Sequence, residues 1–204
     1  MDTKKLIIMK EILNKIYEGK IFIPEYKYES YKVSKKINEW GRAYGEITRK
    51  GIESMVVELK KRNIFNNINF LDLGSGNGRA VLHMGMYKEV ENSHGIEIYK
   101  SKYDYSKKLL NNIENYNNKD KINFINKDFN SIKNFHNYNL ILINNINTGK
   151  TSQLEIINKI KKGSLILCCF ELIDNHGLEK LEDIISDFSW SYGYQAYLKL
   201  YIKK

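Results

Sequence analysis

The sequence predicts an α/β fold: a doubly wound, mainly parallel sheet with helices on both faces. Two observations lead there. Short apolar stretches near residues 69–73, 96–98, 122–125, 138–143 and 165–170 alternate with segments whose apolar residues recur at helical spacing. The first stretch also runs into Gly74-Ser-Gly-Asn-Gly78, with glycine at every second position, before an apolar-faced segment starts at Ala80. Glycine opens left-handed backbone angles and lets a ligand approach the main chain, and the start of a helix offers unpaired N–H groups. Strand, glycine turn and helix in that order are the layout of a cofactor loop.

Length and charge bound the rest. The 204 residues suffice for one well-buried core and fall short of two ordinary enzyme domains. The expected division is a helical extension and cofactor-covering loop over residues 1–60, then the core over 61–204. A net charge of +9 and a pI near 9.3 favour an acidic partner such as nucleic acid or a nucleic-acid complex. Lysine supplies nearly all of it, and the few arginines, Arg42, Arg49, Arg62 and Arg79, weigh against base reading. Cys168 and Cys169 are adjacent on a strand and point to opposite faces, which excludes an ordinary disulfide and any zinc spacing. No apolar run is long enough to cross a bilayer. The expectation is a soluble intracellular protein, nuclear or cytoplasmic, with no metal and no membrane partner.

In chain order, Leu6, Met9, Leu13, Ile16 and Tyr17 share one side of a helix over residues 5–18, ended by Gly19. Residues 21–31 hold the only proline and several aromatics, and their pattern selects no element. Gly41 and Gly45 bracket Tyr44 in irregular backbone. Thr48 is a plausible N-cap for a helix buried through Ile52, Met55, Val56 and Leu59. The preceding loop, with Tyr44, Glu46 and Thr48, either covers a ligand or simply connects. After the glycine loop, Ala80, Val81 and Met84 face the sheet; Glu97 lies in the second strand; a helix spans 100–116; Asp128-Phe129 follows the third strand. Asn144-Asn145 follows the fourth strand, and a helix over 151–161 leads to the fifth. Leu178–Phe188 reads as one more helix and residues 189–201 as a terminal pair of strands around Gly193, bringing the sheet to seven strands.

The loop can be compared with other glycine-rich sites. A P-loop needs Gly-Lys followed by Ser or Thr, and Arg79-Ala80 stands there instead. A dinucleotide fingerprint spaces its glycines differently. Asp72 just before Gly74-x-Gly76-x-Gly78, with Glu97 one strand on, resembles the motif of class I S-adenosylmethionine-dependent methyltransferases. That resemblance implies S-adenosyl-L-methionine as cofactor, with Gly74, Ser75, Gly76 and Gly78 against its methionine part and Glu97 on the ribose. Asp128 and Phe129 would take the adenine, the alternative being a helix cap beside a core phenylalanine.

A narrower likeness covers residues 38–200. Tyr44-Gly-Glu46 with Thr48, the glycine loop, Gly95-Ile-Glu97, Asp128-Phe129, Asn144-Asn145 and Ser189-Trp190 together resemble the catalytic core of the non-SET histone lysine methyltransferases, the disruptors of telomeric silencing. It implies that Tyr44, Glu46 and Thr48 close on the methionine end of the cofactor. Asn145 would line the channel beside the sulfonium and orient the amine, and Tyr197, with Tyr194 after it, would wall that channel. A protein substrate, a histone or nucleosome, is the partner so implied, with nucleic-acid contact left open. This chain departs from the family pattern at Asn77, Arg79, Ile47 and Ile146. The rivals are a nucleic-acid methyltransferase, disfavoured because no Pro-Pro-aromatic follows Asn144, a small-molecule enzyme, and a non-catalytic binding module of the same fold.

Overall fold

The computed structural model describes residues 3–18, 45–145, 148–172, 177–191 and 194–204. Tyr44, the aromatic stretch 21–31 and the turn at Gly193 lie outside them. Helix α1 (Thr3–Tyr17) precedes α2 (Arg49–Lys61), β1 (Ile68–Leu73), α3 (Arg79–Met84), β2 (Val90–Glu97), α4 (Lys100–Asn112) and β3 (Ile122–Asn126). Then come β4 (Leu140–Ile143), α5 (Lys150–Lys159), β5 (Leu165–Cys168), β6 (Leu178–Lys180), β7 (Ile184–Ser186) and β8 (Ala196–Lys203). The strand order is β3-β2-β1-β4-β5-β8, with β6 and β7 beyond β8. The first five strands pair in parallel, and β8 runs antiparallel to β5.

The chain winds outward from β1 through β2 to β3, then returns to lay β4 on the free side of β1. That reversal puts the carboxyl ends of β1 and β4 side by side, with Leu73 opposite Ile143, and open parallel sheets bind ligands at such a point. Both faces are covered, as the strand sequences require. Phe70, Leu140, Leu142, Leu165 and Leu167 pack with Ile52, Met55, Leu59 and Leu82 on one side. Leu71, Leu73, Ile141, Ile143, Ile166 and Cys168 pack with Ile156, Ile157 and Phe135 on the other. Cys169 packs with the first group, so the two free cysteines do face opposite ways.

Two expectations are corrected. Residues 178–188 form two short strands and no helix, and among the described residues of the stretch 189–201, expected to hold two strands, β8 alone begins. β6 and β7 both pair antiparallel with β8 and share the seventh position of the sheet. Leu178, Leu181, Ile184, Ile185 and Phe188 happen to fit a helical spacing. Burial instead alternates through Ile184, Ile185 and Ser186, because α2 covers one face of β7 and the Ser186 hydroxyl donates to the Gly51 carbonyl at 3.4 Å.

Helix α1 docks on α3 through a buried histidine. His83 is 2% exposed; its Nδ1 shares a hydrogen bond with Tyr17 at 3.0 Å and its Nε2 with Tyr87 at 3.4 Å. Burial, followed by the charge of Arg49, pushes its pKa down to about 3 from 6.5. The unfolded chain therefore takes up a proton near pH 6.5 that the folded chain refuses until about pH 3. Stability is present above the unfolded value and drains as pH falls below it, by about 2 kcal/mol at pH 5. Half-buried His94 is lowered too and acts in the same direction. Urea midpoints measured from pH 7 to pH 5 should fall less in His83→Gln than in the wild type; equal slopes would refute the assignment.

Candidate functional site

The turn after β1 is built by three left-handed glycines, Gly74 (φ 83°), Gly76 (φ 53°) and Gly78 (φ 78°). The main-chain N–H groups of Gly74 and Ser75 both donate to the Ile96 carbonyl, at 2.9 and 3.0 Å. Glu97 completes the bracing: its Oε2 accepts from Gly76 N–H at 2.8 Å and its Oε1 from Tyr99 N–H at 2.8 Å. One buried carboxylate thus ties the loop of β1 to the turn that starts α4. A carboxylate has about four acceptor positions, so Glu97 keeps capacity for a hydroxyl group beyond these two bonds.

A second segment lies over the loop. Residues 45–48 are strapped to residues 187–190, far along the chain: Ile47 bridges Phe188, Ser189 N–H donates to the Glu46 carbonyl at 2.9 Å, and Glu46 N–H donates to the Ser189 hydroxyl at 3.0 Å. Thr48 caps α2 by accepting from Gly51 N–H at 3.1 Å and donates to Asp187 Oδ2 at 2.5 Å. Trp190 stacks on Phe188 with ring centroids 4.6 Å apart and closes over Gly45, where an added Cβ would sit 2.0 Å from the indole. Glu46 turns inward to an ion pair with Arg79 at 2.9 Å, both side chains being largely buried.

Between loop and strap lies a pocket lined by Glu46, Asp72, Gly74, Ser75, Gly76, Arg79, Asn144, Cys169, Phe188 and Trp190, among others. Asp72 is its electrostatic centre. Burial raises its pKa to about 8, with the nearby Glu97 and Glu46 carboxylates adding to the shift. The buried Ser75 hydroxyl has no hydrogen-bond partner among the described residues. Cys169 is held as a thiol, its pKa pushed up to about 12 by burial and then by Asp72. Lys102 is lowered by burial, against the opposing pull of Glu97 and Glu46.

Of the residues singled out in the sequence, Glu46, Asp72, Gly74, Ser75 and Gly76 meet in this pocket. Others stand apart from it. Gly78 packs at the start of α3, Thr48 is a cap, and Glu97 is a brace. Asp128 caps a 3-10 turn by accepting from Asn130 N–H at 2.8 Å, and Phe129 packs against the core on the Ile156 and Phe135 side of the sheet. Asn145 has both ends of its amide on Phe170, donating to its carbonyl and accepting from its N–H, each at 2.9 Å; Asn144 is the member of the pair that lines the pocket. Tyr197 on β8 is 42% exposed and Tyr194 is 81% exposed, and neither lines the pocket. Tyr44 lies outside the described residues. Arg79, Cys169 and Phe188 carried no sequence signal as site residues, while Asn144 and Trp190 had one through the Asn-Asn and Ser-Trp pairs.

The family model described as "Histone methylation protein DOT1" matches residues 25–188. No curated protein matches the sequence. Among solved structures, the chain is similar to a magnesium protoporphyrin IX methyltransferase from Synechocystis (10% identity, 75% of this chain and 78% of that one, TM-score 0.56). It is also similar to an RNA methyltransferase from Salinibacter ruber (14%, 76% and 92%, TM-score 0.54) and to the putative methyltransferase yhhF of Escherichia coli (12%, 77% and 87%, TM-score 0.58). At such identities the likeness is one of fold, that of the class I methyltransferases.

Proposed function

The chain belongs to the family of the histone methylation protein DOT1, and from that premise we propose that it transfers a methyl group from S-adenosyl-L-methionine to a lysine side chain of a protein, a histone being the substrate the family implies. The observation that carries this reading is the pocket at the sheet's reversal point, floored by Asp72 and Gly74–Gly76 and roofed by Trp190 and the Glu46 strap.

The residues fit the cofactor. Among the described residues nothing stands within 4 Å of the position where a Cβ would be on Gly74, so a ligand can lie on the main chain there. The partnerless Ser75 hydroxyl and the buried Asp72 carboxyl suit the ammonium of an amino-acid moiety, and Glu97 has acceptor capacity left for ribose. In this reading the exposed Asp128 carboxylate, with acceptor capacity beyond its bond to Asn130 N–H, and the half-buried Phe129 ring would serve adenine from beside the pocket. When bound, the sulfonium offers an electrophilic methyl that an amine lone pair takes in one displacement, leaving a thioether. The protein's part is alignment and exclusion of water, and alignment can be worth several kcal/mol. Phe188 and Trp190 wall the approach with apolar surface, which favours the neutral amine over the ammonium ion. The orienting role expected of Asn145 falls in this reading to Asn144.

Asp72 makes cofactor binding depend on pH. Below about pH 8 its carboxyl is mostly protonated, whereas a ligand bearing two positive centres favours the carboxylate. Affinity should rise with pH, by about tenfold per unit at most, and level off near pH 8. Calorimetry at pH 7 in buffers of different ionisation enthalpy should register close to one proton released by the wild type and none by Asp72→Asn. Identical proton release in the two proteins would contradict this.

The function itself is tested by mass spectrometry after incubation with S-adenosyl-L-methionine and core histones, nucleosomes, RNA or DNA. The expected result is methyl-lysine on histone, lost in Asp72→Asn and strongly reduced in Asn144→Ala. Methyl groups on nucleic acid alone would replace the protein-lysine reading.

A further inference from the structure

The positive charge of this chain is unevenly neutralised. On parts of the described surface a cation meets a carboxylate: Lys60 with Glu89, Lys61 with Glu58, Lys100 with Asp104, Lys199 with Asp183. At the end of the sheet opposite the glycine loop three stretches meet differently. Phe135 N–H donates to the Lys159 carbonyl at 2.8 Å, Gly163 N–H to the Lys203 carbonyl at 2.8 Å, and Lys203 N–H to the Ser164 carbonyl at 2.9 Å. Residues 130–139, 158–164 and 201–204 therefore form one continuous rim, and none of the three contains Asp or Glu.

The rim carries Lys133, Lys159, Lys161, Lys162, Lys203 and Lys204. Among the described residues Lys204 alone of these has an ion-pair partner, Glu179. Lys159 donates to the Asn130 carbonyl at 2.6 Å, which leaves its charge uncompensated. Lys133, Lys161 and Lys162 are exposed, as are Asn134, His136 and Asn137 between them.

We propose that this rim is a docking surface for the phosphate backbone of double-stranded nucleic acid, separate from the methyl-transfer pocket. Lysines without arginine supply point charges for phosphates and lack the planar fork that reads guanine. The exposed amides and imidazole add neutral donors of the kind that position a backbone. Single strands are bound through exposed aromatic platforms. Here Phe135 is 1% exposed and Tyr138 shares its hydroxyl with His94 Nδ1 at 2.9 Å, so the rim has charge without a stacking surface. Because the pocket opens at the opposite end of the sheet, duplex held here leaves the pocket free for its own substrate.

The test is fluorescence anisotropy of the whole chain with a random-sequence 30-base-pair duplex between 50 and 300 mM KCl, with a single strand and poly-glutamate as competitors. Each phosphate neutralised contributes about −0.9 to the slope of log affinity against log salt. Removing three rim charges in Lys133→Gln/Lys161→Gln/Lys162→Gln should flatten that slope by roughly 2 to 3 and weaken binding more than about tenfold at 100 mM salt. A control with the same charge change elsewhere, Lys88→Gln/Lys107→Gln/Lys108→Gln, should lose less than about threefold, since phosphates not contacted contribute little to the slope. Equal losses in the two triple variants would reduce the effect to net charge and overturn the proposal. So would an absence of duplex binding, or a single strand or poly-glutamate competing as strongly as duplex. Methyl transfer is not part of the readout, so the outcome is independent of the catalytic reading.

Discussion

Glu97→Ala should bind S-adenosyl-L-methionine at least about 100-fold more weakly than the wild type and be less stable by about 3 kcal/mol. The carboxylate is 5% exposed and accepts the N–H groups of Gly76 and Tyr99, both at 2.8 Å. Alanine deprives two largely buried donors of their acceptor, each at a cost of about 1–3 kcal/mol. The same change unpins the glycine loop, so the binding surface is lost together with its brace. Glutamine separates the two effects. Its carbonyl oxygen can still accept one N–H while its amide nitrogen faces the other, so Glu97→Gln should lie between wild type and alanine in both stability and affinity. Urea unfolding and titration calorimetry read the two quantities. Wild-type affinity in Glu97→Ala would remove Glu97 from the site.

Gly78→Ala should cost roughly 2–5 kcal/mol of stability, from two separable sources. At φ 78° a side chain in the left-handed region costs about 1–2 kcal/mol. An added Cβ would also come within 2.6 Å of the Phe124 ring and 2.8 Å of Ser106 Cβ, and overpacking of this kind typically costs about 1–3 kcal/mol. Gly74 is the internal control, with φ 83° and nothing within 4 Å of the would-be Cβ. Gly74→Ala should therefore pay the backbone term alone, about 1–2 kcal/mol, while losing cofactor affinity because the methyl group occupies the pocket floor. Combining Gly78→Ala with Phe124→Leu should recover part of the steric term, seen as coupling in a double-mutant cycle. Equal destabilisation by the two alanines would mean that Phe124 and Ser106 yield without cost.

Much of the candidate site was legible because it is local. Asp72 through Gly78 is a single turn, and its glycines follow from the backbone angles that turn requires. Glu97 was legible from its spacing as a second strand-end carboxylate, while its bonds to the main-chain N–H groups of Gly76 and Tyr99 were not. What lay beyond the sequence belongs to pairs distant along the chain. The Glu46–Ser189 and Thr48–Asp187 contacts join residues about 140 positions apart, and no periodicity reports them. Asn144 and Asn145 are equivalent as text. Just beyond the carboxyl end of β4 the fold turns Asn144 to the pocket and ties Asn145 to Phe170, a choice that rests on contacts some 25 residues away.

The strands, the parallel winding and the cofactor turn were determined by the sequence itself, through apolar runs, helical spacing and glycines whose conformations are set within a few residues. Tertiary structure alone decided the rest. Residues 178–188 carry a spacing compatible with a helix and became β6 and β7, because β8 offered a ladder of backbone partners and α2 a surface to cover. Asp72 became a weak acid, Glu97 a brace and Trp190 a roof for the same kind of reason. Burial, neighbouring charge and contact between remote segments set the properties of these side chains, and they come into being only when the chain is folded.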